Sequence, residues 1–591
     1  MENPPAAPPP VFIDFEGIDG SGKTTLSNRL ADLLKERGIP VYHARERGVF
    51  RSEISKEIRV LTRDPRFLRM SHITEFLLYV ARDTQMIDEF IRPRLVPGNV
   101  VFSDRYLYST ITHSHHGRGL SRADVDAVLK VASRGLWPDL VVYCDVDPLT
   151  SRIRKKIQKI RDQRFGDFGR KGLMGIGFRE EMRKGFLQLA DEDPERWLVI
   201  DNASSTIQQS LENICRRVIQ LLEHRGFRNL SGLSPHVTSA TVPARPASSL
   251  ADRVRPLFPL TDPLERQQLV CRLFFEELDR LSSSAPGYTA LFVSGMDSPE
   301  VNALREKIMD REPALVAHGL QGLRSPESMR FRQLLMDREP VYVARSLYGL
   351  PELSEITALR LALLDKAQAQ IALSVRGMDT ESAWEIRSRI GKKSARELLM
   401  SLRGIDTDRA WDLREKHAKD ALFPAFLESL AFIDSPRARK WREDLSEEYL
   451  PWVLMSLRGI FSDRAWQMRE DHIERAPKII IKTLGRSTDP RAWLLRDKAK
   501  FHVKEVLDSL SGIDSVPAWN LRMELRCKWP NTAVSSLGAG LQSERAWRFR
   551  WDMLREYPSN LLLMKHIVRA IVRTMEEDYD FMDEDDEGEF T

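Results

Sequence analysis

Gly17-Ile18-Asp19-Gly20-Ser21-Gly22-Lys23-Thr24 is a complete G-x-x-x-x-G-K-[ST] phosphate-binding loop, followed by Thr25. Glycines at these places let backbone N–H groups curl around phosphate oxygens, and the positive end of the following helix adds to the attraction. In this pattern the lysine, Lys23, reaches the β- and γ-phosphates of ATP and the hydroxyl residue, Thr24, holds Mg²⁺. The chemistry indicated is phosphoryl transfer, with Gly17, Asp19, Gly20, Ser21, Gly22, Lys23, Thr24 and Thr25 around the nucleotide.

That loop works only if a strand delivers it and a helix receives it. Val11-Phe12-Ile13-Asp14-Phe15 supplies the apolar strand, and Leu26 to Leu34 supplies a helical stretch. Further short apolar runs end in acids: Val100 to Asp104, Leu140 to Asp145 and Trp197 to Asp201. Such runs between helical segments predict a parallel sheet covered on both faces, with ligands at the carboxyl ends of the strands. Asp104 then sits opposite the loop, where a carboxylate can hold the Mg²⁺ shell. Arg105 beside it can grip an acceptor phosphate with both arms of its guanidinium. Arg45, after the apolar Val41-Tyr42-His43, can grip the same phosphate.

The chain has 591 residues, too many for one core, so several domains are expected. Residues 1–10 read as a disordered Pro/Ala-rich arm, 11–223 as the nucleotide domain, and 224–260 as a Ser/Pro-rich linker. Residues 261–575 read as helical repeats and 576–591 as an acidic tail, with ten acids and no Lys or Arg. Four scattered cysteines match no metal spacing and fit reduced thiols, which suggests a cytoplasmic protein. No run of some 18 apolar residues predicts a membrane span.

The repeats are visible in Trp384, Trp411, Trp466, Trp493, Trp519 and Trp547, each after an alanine and each followed three residues later by arginine. The spacings are 27, 55, 27, 26 and 28 residues, and Arg439 occupies the skipped slot. Weaker copies around Gly295, Gly322 and Gly349 give about ten units. A period near 27 allows two short helices per unit, stacked as an α-solenoid. Thr407 and Ser462 are placed to cap helices, the glycines to end them. Trp is expected to pack between units and Arg to brace the turns. The repeat region holds 50 Lys+Arg against 44 Asp+Glu, a bias too weak to argue nucleic-acid binding. A scaffold of this size points to a protein partner.

Phe15-Glu16-Gly17-Ile18-Asp19-Gly20-Ser21-Gly22-Lys23-Thr24-Thr25 resembles the opening of thymidylate kinases. The resemblance continues through Arg45-Glu46, Asp104-Arg105-Tyr106-Leu107-Tyr108-Ser109, Gly117-Arg118-Gly119-Leu120, Pro138-Asp139-Leu140 and Asp193-Pro194-Glu195-Arg196-Trp197. It implies an ATP- and Mg²⁺-dependent nucleoside monophosphate kinase, with Asp19 near the metal and Arg45 and Arg105 on the acceptor phosphate. It also implies that Tyr79 stacks on the base, that Ser109, Thr110 and His113 line the acceptor pocket, and that the protein is a homodimer. The stretch Arg152 to Arg164, followed by Gly166, Gly169, Gly172, Gly175 and Gly177, resembles the family's lid, and implies Arg161 or Arg164 as the arginine that meets the transferring phosphoryl group.

The base pocket departs from the family pattern. The position of the base-reading arginine holds Asp83, with Arg82 one residue away, about 100° around a helix and so facing elsewhere. His113 stands where a tyrosine commonly excludes a ribose 2′-hydroxyl. An ionised Asp83 accepts hydrogen bonds and donates none, which favours a base that presents donors, such as guanine or cytosine. The reading is a dTMP kinase-like enzyme with an altered acceptor pocket. The alternative is a nucleotide-sensing regulator whose kinase-like domain controls a partner on the solenoid.

Overall fold

A computed structural model describes residues 7–46, 49–67, 70–163, 177–203, 205–228, 230 and 250–572. The arm up to residue 6, the glycine-rich part of the lid with Arg164, most of the linker and the acidic tail lie outside the described residues. The chain divides into two compact units, residues 1–156 with 169–240, and residues 157–168 with 241–591.

The first unit is built on a five-stranded parallel sheet of β1 (Val11–Glu16), β2 (Val41–His43), β5 (Val100–Asp104), β6 (Leu140–Asp145) and β7 (Trp197–Asp201), in the order β2-β5-β1-β6-β7. A separate two-stranded ribbon pairs β3 (Arg45–Glu46) with β4 (Val49–Phe50). Each strand read from the sequence is present. The central strand β1 is buried along its whole length, because it has a neighbour on both edges and helices on both faces. One face packs on α1 (Lys23–Glu36) through Leu26, Leu30 and Leu34, and on α9 (Ile207–His224) through Ile214, Val218 and Leu222. Helix α2 (Glu53–Arg63) precedes α3 (His72–Met86), and α4 (Arg92–Arg94) is a short turn before β5. The other face is covered by α3, α5 (Leu107–Ile111), α6 (Arg122–Ser133) and α8 (Gly177–Glu192). Helix α7 (Pro148–Arg161) follows β6.

Parallel register carries each strand's end to one edge. Phe15 of β1 lies opposite Asp104 of β5, and Asp145 of β6 opposite Asp201 of β7. The four acid-tipped strands therefore place their last residues beside the glycine loop that leaves β1.

The second unit is a run of paired short helices. Ten arginines, from Arg305 through Arg332, Arg360, Arg387, Arg414, Arg442, Arg469, Arg496 and Arg522 to Arg550, are all buried. Each reaches from the first helix of a repeat to carbonyls that helix ends leave over. Arg414 on Asp408–Lys416 donates to the carbonyl of Leu402 at 2.7 Å, and to the carbonyl and hydroxyl of Ser429 at 3.2 and 2.9 Å. Burial lowers its pKa to about 10, still high enough to keep the charge at neutral pH. The expectation that Arg braces the turns holds. Trp411 Nε1 donates to Asp406 five residues earlier at 2.6 Å, and Arg437 of the next repeat covers its ring at 4.8 Å. In the slot without tryptophan, Arg439 makes the same five-residue reach to Asp434, at 3.0 and 3.1 Å. Gly404 and Gly459 take φ of +77° and +73°, and Phe432 holds the equivalent place at +68°. Thr407 and Ser462 stand at N-cap positions without a side-chain hydrogen bond, whereas Ser325 and Thr380 cap with theirs.

Two features differ from the sequence reading. Helices begin at Leu250–Val254, inside the span read as linker, with Val254 and Leu257 fully buried in the repeat core. The array also closes on itself. The long helix Pro263–Ser284 packs both on its neighbour Pro286–Phe292 and on the last helix, Leu561–Val572. Lys565 Nζ donates to the Leu291 carbonyl at 2.9 Å across that seam. The second helices of successive repeats pack on one another in an unbroken circle through it.

Candidate active site

Gly17, Gly20 and Gly22 adopt φ of +146°, +84° and +90°, a backbone that side chains resist. Each is also crowded. A Cβ on Gly22 would lie 2.4 Å from Asn202 Nδ2, and one on Gly20 would lie 2.6 Å from the Ser151 carbonyl. The loop is clasped from outside: Asn202 Nδ2 donates to the Ser21 carbonyl at 2.5 Å and Ser151 Oγ donates to the Asp19 carbonyl. Asn202 is held in turn by Ser210, whose hydroxyl donates to it at 2.8 Å.

Gly22 is the N-cap of α1, so Lys23 and Thr24 open its first turn. Thr24 Oγ1 donates to Asp104 Oδ2 at 2.5 Å, and Lys23 Nζ stands 4.0 Å from Asp104 Oδ1. Lys23 and Asp104 are both buried. The structure thus brings together the three residues expected to handle phosphate and metal.

Arg105 is one of four non-glycine residues at positive φ among the described residues, at +81°. Its Nη2 donates to Asp19 Oδ1 at 2.6 Å and its Nη1 to Ser109 Oγ at 3.0 Å. Burial alone would lower its pKa, but Asp19, Glu16 and Asp104 outweigh it and raise it. Glu16 accepts from the backbone N–H of Tyr106 and Ser109 at 3.0 and 2.9 Å and from the Ser109 hydroxyl at 2.6 Å. It therefore fixes the turn that aims Arg105. Burial raises the Glu16 pKa. Below it on β1, Asp14 is fully buried with neither carboxyl oxygen hydrogen-bonded. Burial first, then Glu16 and Asp104, push Asp14 well above the ordinary carboxylate range.

In the acceptor region Tyr79 is buried, edge-on to His113 at 4.7 Å, and His113 is edge-on to Phe178 at 4.9 Å. Asp83 accepts from Arg82 Nε at 2.7 Å and from Thr110 Oγ1 at 2.8 Å. The guanidinium of Arg82 lies 4.8 Å from the Tyr79 ring centroid. This corrects the expectation that Arg82 faces elsewhere: the helix rotates its Cα away, but the long side chain folds back over the ring. It also removes the premise that Asp83 stands as a lone acceptor. Arg118 and Glu75, buried and paired at 2.7 Å, close the same wall.

The backbone of Arg45 lies in β3, directly after β2, while its side chain is outside the described residues. Arg161 pairs with Glu312, both within the second unit. Arg164 is likewise outside the described residues. Glu16, Asn202 and Ser151 were not singled out from the sequence. Glu16 stood inside the quoted motif, and Asn202 directly after an acid-tipped strand, so position alone pointed to both.

The family model described as Thymidylate kinase matches residues 15–214. A thymidylate kinase of Pelobacter propionicus is 36% identical over 214 residues, covering 35% of this chain and 94% of that protein. One of Oleidesulfovibrio alaskensis is 37% identical over 195 residues, covering 33% of this chain and 91% of that protein. A crystal structure of thymidylate kinase from Ehrlichia chaffeensis is 27% identical, is covered over 100% of its chain by 36% of this one, and superposes with a TM-score of 0.28. The family model ends at residue 214, ahead of the helical repeats, and through the part that it covers this chain belongs to the thymidylate kinase family.

Proposed function

We propose that the first unit transfers the γ-phosphoryl group of ATP to the phosphate of a thymidylate-like nucleoside monophosphate. The observation that carries this is the joint placement of Lys23, Thr24 and Asp104 at the mouth of the glycine loop, with Arg105 beside them. In the reaction the bond from the γ-phosphorus to the β–γ bridging oxygen breaks. A bond forms from that phosphorus to an oxygen of the acceptor phosphate, and ADP leaves with the bridging oxygen. The acceptor is already an anion, so no general base is needed. Catalysis is positioning and charge neutralisation in a water-poor cleft.

Lys23 meets the β- and γ-phosphates. Arg105, steered by Asp19 and Glu16, and Arg45 hold the acceptor phosphate. Thr24, Asp104 and Asp19 form an all-oxygen donor set that fits Mg²⁺, which would supply charge neutralisation on the phosphates. Among the described residues no group of three or more His, Cys, Asp or Glu forms a protein-only metal site. That suits an ion held largely by substrate phosphates. Arg161 or Arg164 of the lid would meet the transferring group.

Tyr79 stacks on the base. Arg82 donates to a base carbonyl while Asp83 and Thr110 hold it in place, which returns the preference to thymine. Phosphotransfer assayed across the monophosphates tests this. The expected result is ADP release with dTMP favoured over dGMP and dCMP by more than about tenfold. Tight ATP binding with no ADP release would favour a nucleotide-sensing regulator instead.

A further inference from the structure

Glu312 is a carboxylate that the repeat architecture does not require. It stands directly before Pro313–His318, the second helix of its repeat. Ala367 and Ala476 hold the same place in other repeats, before Gln368–Ser374 and Pro477–Leu484. Glu312 is nevertheless buried, at 6% exposure. A carboxylate taken out of water needs a cation or strong donors beside it. Arg161 supplies both: its Nε donates to Glu312 Oε2 at 3.2 Å and its Nη2 donates to Oε1.

Arg161 is the last residue of α7, and the second compact unit takes in the chain from Ile157 to Phe168. The end of this helix is seated among repeat residues. Ile157 and Ile160 are buried. The hydroxyl of Tyr342, whose ring is 1% exposed, donates at 2.6 Å to the Ile160 carbonyl, one of those that a helix end leaves over. Gln163, at a φ of +50°, returns its N–H to the same carbonyl at 3.1 Å and so ends the helix there. Gly287 lies within Pro286–Phe292, where a Cβ would stand 3.0 Å from Arg161 Nη2, 3.3 Å from Ile157 Cγ2 and 3.4 Å from Glu312 Oε1. Glycine weakens a helix by about 0.5–1 kcal/mol relative to alanine, and at this position it makes room for the guanidinium.

A guanidinium has two edges that can grip a pair of oxygens. Glu312 takes the edge formed by Nε and Nη2, and the second edge, through Nη1, stays available on a side chain that is 54% exposed. An arginine fixed in this way has its rotamer chosen before the anion arrives, so less freedom is lost on contact. Asp19 steers Arg105 by the same device.

We propose that Glu312, a residue of the repeat region, is a positioning residue for phosphoryl transfer: it holds Arg161 with its second edge turned to the transferring group, while Tyr342 anchors the helix end. The proposal rests on the phosphotransfer reading above and gives the lid role to Arg161. It also gives the repeats a part in the rate of the reaction.

Steady-state kinetics of the full chain with ATP and dTMP test this. Glu312→Gln is expected to lower kcat by about 10- to 100-fold, with both KM values within about twofold of the parent. Arg161→Ala should lower kcat at least as far, and the variant carrying both changes should lose nothing beyond Arg161→Ala alone. Glu312→Asp should recover part of the rate. Glu339→Gln, at the corresponding place one repeat on, should leave it unchanged. Hydrogen exchange at residues 157–163 reads the anchoring without turnover, and should quicken in Glu312→Gln and in Tyr342→Phe. A Glu312→Gln chain as fast as the parent or faster overturns the proposal, as do additive losses in the double variant or unchanged exchange in both single variants. A parent chain that releases no ADP with any monophosphate overturns the phosphotransfer reading itself, and this role with it.

Discussion

Thr24 Oγ1 donates a 2.5 Å hydrogen bond to Asp104 Oδ2, joining the first turn of α1 to the tip of β5 across a register in which Phe15 faces Asp104. The phosphate-binding lysine and the acid that ends the neighbouring strand are thereby one unit. Asp104→Asn and Lys23→Ala should each lower kcat for phosphotransfer by about 10²–10⁴. Their thermal unfolding should stay near that of the parent chain. A rate within threefold of the parent for Lys23→Ala would be incompatible with the proposed chemistry.

Asn202 clasps the loop from β7 and fills the space that a Gly22 side chain would need. Asn202→Ala should weaken ATP binding by about tenfold, equal to about 1.4 kcal/mol, with a smaller effect on the acceptor KM. Isothermal titration with a nonhydrolysable ATP analogue reads this directly. Gly22→Ala should be worse, because it adds a clash and a strained φ of +90°.

Arg82 supplies the pocket's guanidinium from one position away, held by Asp83. Arg82→Ala should cost about 1–3 kcal/mol of preference for dTMP over dCMP, seen as a 5- to 150-fold change in the ratio of kcat/KM values. Asp83→Asn should have a smaller effect of the same sign. Unchanged ratios in both variants would mean that the base is read elsewhere.

Much of the site was legible because its chemistry is local. The glycine loop, the acids that end four of the five sheet strands and Arg105 beside Asp104 are fixed by neighbours in sequence. The pocket was less legible because helix rotation locates a Cα, not the end of a long side chain, and Arg82 spans the difference. Tryptophan spacing revealed the later repeats, while the earlier ones show themselves through Arg305, Arg332 and Arg360, which bury in the same way without a tryptophan. Closure of the ring was out of reach from sequence. It depends on Lys565 meeting Leu291, 274 residues apart, and no local period carries that information.

Asp14 is a buried acid in the central strand, and its folded pKa lies well above the value near 3.9 of an unfolded chain. Between those two values the folded chain holds a proton that the unfolded chain has lost. Stability therefore falls as pH rises from about 4 through the folded pKa. Asp14→Val, apolar and suited to a strand, should remove that loss and raise stability at pH 7 by about 1 kcal/mol or more, with little gain at pH 4. Thermal melts at the two pH values measure the difference.

The buried arginines should be costly to replace. Arg414→Met leaves the Leu402 and Ser429 carbonyls unpaired inside the array and should destabilise it by about 3–5 kcal/mol. Arg338→Met, which breaks only an exposed pair with Asp310 at 3.1 Å, should cost about 0–1 kcal/mol. Urea titrations of the two variants rank them.

Joining Pro263–Ser284 to Leu561–Val572 also dictates copy number. An open stack tolerates the gain or loss of a module at either end, since each addition merely lengthens it. Here a deleted 27-residue module would leave a gap that the remaining curvature cannot span, and a duplicated one would force the seam apart. Genuine relatives that share this architecture should therefore differ in the sequences of their modules far more readily than in how many they contain.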